Sequence, residues 1–409
     1  MLTDAYELTS GFEKSSIHYY WLFPMLAFVF QPLYVLILLV LLEGFTRVPA
    51  TFNFLIAFSI SLTFINRDVG NGWSSGDFIA QDDALNYLYY YDSLFDPNFF
   101  FWSQPYVYFG SEPLWFLISA VVKIISGSSD IALIAISVLI PVYAMHKSFI
   151  VLSKYVYFNS FLFYVLYPEI NHIIYHLYRF SLSLGFFLLF FAIFLNHRKK
   201  AFKYLVLSLL AHSSTLMYNF FFFTGRFFKV GDSLISSFAK LRLFFSTIVT
   251  LVIIVLLLFI FFKTIEFEKV KFYLNSEEVV SLFVVNSRHI VYLCMSIYML
   301  WVSKIKISYV VSLVSTILLI LPMIYNLTII YERVLNVCVP ILLFVFLYEM
   351  KIRRLHRRVL TFFLIGIGFN LWSKSENLLF YKYMSNGHNF DLFNGIGLNL
   401  LDIILKITT

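Results

Sequence analysis

The feature that most constrains this chain is its succession of apolar runs almost free of charge. They are Tyr20–Leu42, Phe52–Ile65, Ile131–Leu152, Phe158–Tyr167, Phe180–Leu195, Tyr204–Phe223, Leu243–Phe262, Ile290–Val302, Tyr309–Tyr325, Val334–Tyr348 and Val359–Trp372. A helix crossing a bilayer core needs about 20 apolar residues. The runs are continuous and do not alternate, which favours helices over membrane strands. Hydrophobic residues make up 60% of the 409 and charged residues 13%. Soluble domains run near 45–50% and about 25%, and a soluble globule of about 300 residues buries only about 75% of its surface. The sequence therefore predicts an all-α, polytopic transmembrane bundle of about 10–13 membrane helices. Some of these are short, broken or re-entrant, and an outer loop carries short helices.

Within that bundle residues 1–409 read as a single integral membrane domain. Its extramembrane parts are an acidic, aromatic-rich outer loop at 66–112, a second outer loop at 263–288 and a C-terminal tail at 373–409. The N-terminal 19 residues are polar and acidic with no small-residue cleavage site, so Tyr20–Leu42 is expected to stay as a span. The run from Pro113 to Ile125 is too short to cross comfortably and carries Lys123, which predicts a re-entrant or interfacial helix. Lys199–Lys229 has the length of two half-helices meeting near His212. The two cysteines, Cys294 and Cys338, sit in apolar runs and exclude a disulfide scaffold.

Lysine and arginine mark the cytoplasmic side of a membrane protein. Lys147–Lys154, Arg198–Lys203, Arg226–Arg242 and Lys351–Arg358 are plainly basic. Arg67–Glu112 is the opposite, with seven carboxylates (Asp68, Asp77, Asp82, Asp83, Asp92, Asp96, Glu112) against one cation. That loop belongs outside. The net charge of +7 is then anchoring charge, and nothing in its distribution points to nucleic acid. No internal repeat relates the two halves, which argues against an inverted-repeat transporter.

Ionisable groups in or beside membrane spans are costly and are functional candidates by default. Asp77, Asp82 and Asp83 precede a helical stretch, where Asp82 or Asp83 can cap first-turn N–H groups. Equally, a carboxylate there can accept a proton or a sugar hydroxyl. Asp83 and Tyr87, four apart, share one helix face. Arg179 opens an apolar run at its outer end, suited either to snorkelling toward head groups or to gripping phosphate with its fork. Glu169, His172 and His176 fall on one helix face, a spacing that can hold a metal or simply recur by chance. His212 stands alone in an apolar run beside Ser213 and Ser214, where it either bonds a neighbouring helix or reaches an outer cavity to carry a proton. Glu332 and Arg333 lie together at another outer end, paired with each other or shared with a ligand. Arg288 and His289 follow a solvated loop of mixed charge, Lys263 to Glu278, and carry less.

The order of these features resembles a known group. An outer Asp-x-x-x-Tyr (Asp83, Tyr87) comes first, then an Arg opening an apolar helix (Arg179, YRFSLSLGFFLLFFAIF). A basic turn (NHRKK) follows, then a helix with an internal His (His212, LLAHSSTL) and a late ERVLNVCVP. This looks like the bacterial O-antigen polymerases (Wzy) and the EpsG-like exopolysaccharide polymerases, over residues 60–340. The resemblance implies a glycosyltransferase of the bacterial inner membrane with its active site facing the periplasm. Such an enzyme moves a growing glycan from undecaprenyl pyrophosphate onto a lipid-linked repeat unit. It implies Arg179 and Arg333 on the pyrophosphate, Asp83 or His212 as base, and Tyr87, Asp82, Asp77, His176 and Glu332 around the substrates. Its partners would be undecaprenyl-pyrophosphate-linked oligosaccharides and membrane lipids, with a chain-length regulator left open. No cofactor, metal or nucleic acid is implied. Two other classes stay open: another membrane-embedded transferase acting on lipid-linked sugars, for which Asp82–Asp83 would be the acidic pair, and a glycan flippase.

Aromatic residues are 21% of the chain. Phe fills spans, and Tyr and Trp favour the interfaces. The stretch from Tyr87 to Trp115 is dense in all three on the acidic side, which predicts a glycan-facing surface.

Overall fold

The computed structural model describes residues 57–58, 61, 83–96, 112–127, 129–152, 170, 173–174, 177–196, 201–212, 215, 292–298, 314, 317–318, 321 and 328–352. For 83–86, 89, 152, 196, 328–333 and 348–352 the backbone alone is described. The expected first span, the loop at 263–288 and the tail at 373–409 lie outside these residues.

Among the described residues the chain is helical, with no strand. The elements are α1 (Asp83–Asp92), α2 (Pro113–Ser126), α3 (Asp130–Leu152), α4 (Tyr178–Asn196), α5 (Phe202–Ala211) and α6 (Thr328–Ile352). Two are long and apolar enough to cross a membrane, Asp130–Val151 and Tyr178–Leu195. The chain forms two compact units, Met1–Thr215 with Gly368–Thr409, and Leu216–Ile367. Helices α1 to α5 belong to the first and α6 to the second.

In the first unit α4 is the central helix. It packs against α3 on one side and α5 on the other. Leu182, Leu184, Leu188, Phe190 and Ala192 are all buried, as an all-round apolar helix requires. Close approach to α3 depends on Gly185. A Cβ there would sit 2.9 Å from the Pro141 carbonyl oxygen and 3.0 Å from its Cα, so only glycine lets the two backbones touch. Pro141 lies inside α3 and has no N–H for the carbonyl one turn earlier, at Ser137.

Helix α5 returns antiparallel to α4, pairing Ser208 with Ser183 and His212 with Phe180. It ends at Ala211, and His212 is extended (φ −161°, ψ 137°). Thr215 is helical again. The chain thus leaves the helix at His212, where the half-helix expectation put the break.

Helix α2 starts with Pro113 in its first turn, where a missing N–H costs nothing. It stops at Gly127, which is left-handed (φ 64°) and donates its N–H to the Lys123 carbonyl at 3.1 Å. At 14 residues it is about 21 Å long, less than a bilayer core of about 30 Å. Leu117, Val121, Ile124 and Ile125 form an exposed apolar stripe.

Lys123 itself has a different job. Its Nζ donates to the carbonyls of Tyr91 and Asp92, both at 2.6 Å, and lies over the rings of Tyr91 and Phe95. A cation at the carbonyl end of α1 is favoured by that helix's dipole. The Tyr91 phenol shares a hydrogen bond with Ser126 at 3.1 Å. Burial pushes its pKa up, and Asp130 and Asp92 push the same way. Helix α1 is thereby fastened to α2.

Candidate functional site

Three helix ends meet beside α1. Glu112 precedes α2, Arg179 sits in the first turn of α4, and His212 follows α5. The Arg179 guanidinium is ion-paired to Glu112 through Nη1 and Oε2. The other carboxylate oxygen, Oε1, is 3.3 Å from His212 Nε2. Among the described residues Glu112 is thus held by Arg179 and His212, 67 and 100 positions away in the chain. Its side chain is 5% exposed, whereas those of Arg179 and His212 are each 22% exposed. The cationic side of the site faces outward from the fold, and the carboxylate is its floor.

Aromatic rings wall this cluster. The Arg179 guanidinium carbon lies 4.7 Å from the Tyr87 ring centroid, a stacking that suits a planar cation. Tyr87 touches Trp115 (5.6 Å) and Tyr178 (5.7 Å), and Trp115 stacks on Tyr178 at 6.4 Å. The Phe180 ring meets the His212 ring edge-on at 5.9 Å. Tyr87, Trp115 and Tyr178 are buried. These described aromatics are therefore walls of the Arg179 site, not the open glycan surface expected of the stretch. Among its described members Phe95 is the exposed large apolar ring.

The arrangement has an electrostatic reason. The N-terminus of a helix carries partial positive charge, which disfavours a cation in its first turn. Arg179 is such a cation on α4. Glu112 offsets that cost, and its own position before α2 suits an anion for the same reason. The snorkelling alternative for Arg179 does not describe its geometry, since the guanidinium turns onto Glu112 and Tyr87.

A second polar cluster lies below His212. The hydroxyls of Ser183, Ser208 and Thr215 lie within hydrogen-bonding reach of one another, and all three residues are fully buried. Ser208 Oγ donates to the Ser183 carbonyl at 2.7 Å, and Thr215 Oγ1 donates to the Ser208 carbonyl at 2.9 Å. That carbonyl also accepts the His212 N–H at 3.3 Å, and the His212 carbonyl accepts the Thr215 N–H at 3.1 Å. The helix break is thus satisfied by local hydroxyls and fixes where His212 points.

The chain matches no protein-family model, no curated protein and no solved structure.

Of the residues singled out from sequence, Tyr87, Arg179 and His212 come together here. Asp83 begins α1, the place a helix-opening residue would take, and its side chain is not described. Asp77, Asp82 and His176 lie outside the described residues, as do Glu169 and His172. Glu332 and Arg333 are in the second turn of α6, in the other compact unit, with their side chains undescribed. Among the described residues no cluster of three metal-ligating side chains occurs.

Glu112 and Tyr178 belong to this candidate site and were not singled out from sequence, and Trp115 was read there only as the end of the aromatic stretch. Glu112 reads as one carboxylate among seven in an acidic loop. A signal was present: it directly precedes Pro113 and an apolar helix, so it opens a helix that has little else polar to offer.

Proposed function

We propose that this chain is a multi-pass membrane glycosyltransferase that polymerises lipid-linked glycan repeat units at the outer face of the bacterial inner membrane. The observation that carries the reading is the meeting of Arg179 and His212, two residues of the polymerase-like pattern, on one buried carboxylate behind an aromatic wall. A fork-shaped cation with an exposed edge suits a departing diphosphate. A histidine within reach of a carboxylate suits proton transfer from a hydroxyl.

In this reaction the acceptor hydroxyl oxygen bonds to the donor's anomeric carbon. The bond from that carbon to the diphosphate oxygen breaks, and the electron pair leaves with the lipid diphosphate. Arg179 neutralises the charge that develops. The hydroxyl proton goes to a base, for which His212 and Asp83 are the sequence-based candidates. Binding energy and positioning carry the rest, since the donor is already activated.

A deletion strain tests the reading. Loss of a polymerase leaves single repeat units on the surface lipid, and plasmid-borne wild-type chain restores the ladder. Absence of every unit would indicate a flippase instead, and an unchanged ladder would remove the assignment. Arg179→Lys keeps the charge but not the fork, and is expected to leave single units while the protein stays in the membrane.

A further inference from the structure

The pairing of Arg179 raises a question that the polymerase reading does not answer. If Arg179 grips a diphosphate, the grip is already occupied. We propose that Glu112 is the internal stand-in for the substrate's phosphate on Arg179. An arriving lipid diphosphate displaces it, and the released carboxylate becomes the base for the acceptor hydroxyl. This rests on the glycosyl-transfer reading above.

Four observations lead there. First, a guanidinium fork binds carboxylate and phosphate through the same N–H groups, so Glu112 and a diphosphate compete for one face of Arg179. Second, exposure is divided in the sense that exchange requires. Arg179 and His212 keep 22% of their side chains open, and Glu112 5%, so an incoming anion meets the cation before the carboxylate. Third, Arg179 stands in the first turn of α4, where a multiply charged anion gains from the helix end as well as from the arginine. Fourth, Glu112 has a second holder. Its Oε1 lies 3.3 Å from His212 Nε2, so it stays in the site when Arg179 lets go of Oε2.

Separation from its cation makes a buried carboxylate a stronger proton acceptor. The base is thus created by donor binding. In the transfer, the proton of the acceptor hydroxyl passes to Glu112 as its oxygen bonds the anomeric carbon. The electron pair of the broken C–O bond leaves on the diphosphate held by Arg179. His212, in contact with Glu112 and partly exposed, relays the proton outward. An acceptor is not activated while the donor is absent.

The test uses the full-length protein in lipid nanodiscs with farnesyl diphosphate as probe, measured by titration calorimetry. Glu112→Gln removes the competing charge and keeps the shape. It is expected to bind farnesyl diphosphate about tenfold more tightly than wild type, about 1.4 kcal/mol, and to lower chain formation in cells at least about a hundredfold. Glu112→Asp keeps the charge with a shorter reach and is expected to tighten binding about threefold; it serves if the Gln variant does not fold. Equal or weaker binding by either folded variant would mean a structural clamp and overturn the exchange. Tighter binding with an undiminished ladder would overturn the base. A binding shift in a protein whose deletion leaves the ladder unchanged would sink the polymerase reading and leave the exchange standing.

Discussion

At the scale of single residues, Arg179 and Glu112 have to be treated as a unit. Removing one partner of a buried ion pair leaves the other charge uncompensated, at about 3–5 kcal/mol. Arg179→Ala leaves Glu112, the more buried of the two, without its guanidinium though still in contact with His212, and is expected to destabilise the protein by less than that order. The pair Arg179→Gln with Glu112→Gln removes both charges together. It should recover most of the loss while remaining inactive, and a double-mutant cycle of thermal melting in detergent reads this coupling directly. Additive effects of the two substitutions would show that the pair contributes no coupling. Ser181 is the contrasting case. Its hydroxyl is buried with no hydrogen-bond partner, so Ser181→Ala should be neutral or stabilising by up to about 1 kcal/mol. A clear drop in melting temperature would contradict this. Arg179 and His212 could be picked out from sequence because each is out of place in a membrane chain, and Tyr87 because it shares a helix face with Asp83. Glu112 gave a weaker signal, its place just before Pro113, and a carboxylate in an acidic loop otherwise looks like its neighbours until the fold brings Arg179 onto it.

At the scale of elements, the α4–α5 pair sets the position of His212. The three hydroxyls of Ser183, Ser208 and Thr215 take the place of the hydrogen bonds that the helix break gives up. Thr215→Val keeps the shape and removes the donor to the Ser208 carbonyl. The Ser208 carbonyl keeps the His212 N–H but loses its second donor, a net hydrogen bond of about 0.5–1.5 kcal/mol, and His212 is held less firmly. The expected result is a protein that reaches the membrane, melts earlier and makes shorter ladders; unchanged chain length with a lowered melting point would confine the cluster to stability. On the other side of α4, Gly185→Ala drives a methyl group into the Pro141 backbone. Overpacking of this kind costs about 1–3 kcal/mol, readable as a lowered melting point. The α3 and α4 helices were legible as continuous apolar runs, 131–152 and 180–195 in the sequence against Asp130–Leu152 and Tyr178–Asn196 in the structure. Which faces meet was not, because Gly185 opposite Pro141 follows no local pattern. Lys123 shows the same limit. From sequence it marks α2 as a poor span. In the structure it caps α1, whose Tyr87 lies under Arg179.

At the scale of the whole molecule, function depends on which way the site faces. The acidic loop and the basic segments predict opposite sides for residue 93 and residue 197. Ser93 follows α1 and is described, while His197 lies in the basic turn NHRKK. Single cysteines at these positions, in a background with Cys294→Ser and Cys338→Ala, separate the sides. In spheroplasts a membrane-impermeant maleimide is expected to label Ser93→Cys, and to label His197→Cys only after the membrane is opened. The site lies on the Ser93 side of this argument: α1 carries Tyr87, and Tyr87 stacks on Arg179. In the proposed reading, lipid-linked repeat units are polymerised at the outer leaflet. The reverse labelling would therefore place Arg179 in the cytoplasm, away from those substrates, and the polymerase reading would fail while the Arg179–Glu112–His212 geometry stood unchanged. Apolar runs alone are silent on this point, since a span is equally stable in either direction. Only the charge between the runs distinguishes them, at about 1 kcal/mol per cation near an anionic leaflet. Labelling at these two positions therefore tests the one inference on which the choice of substrate depends.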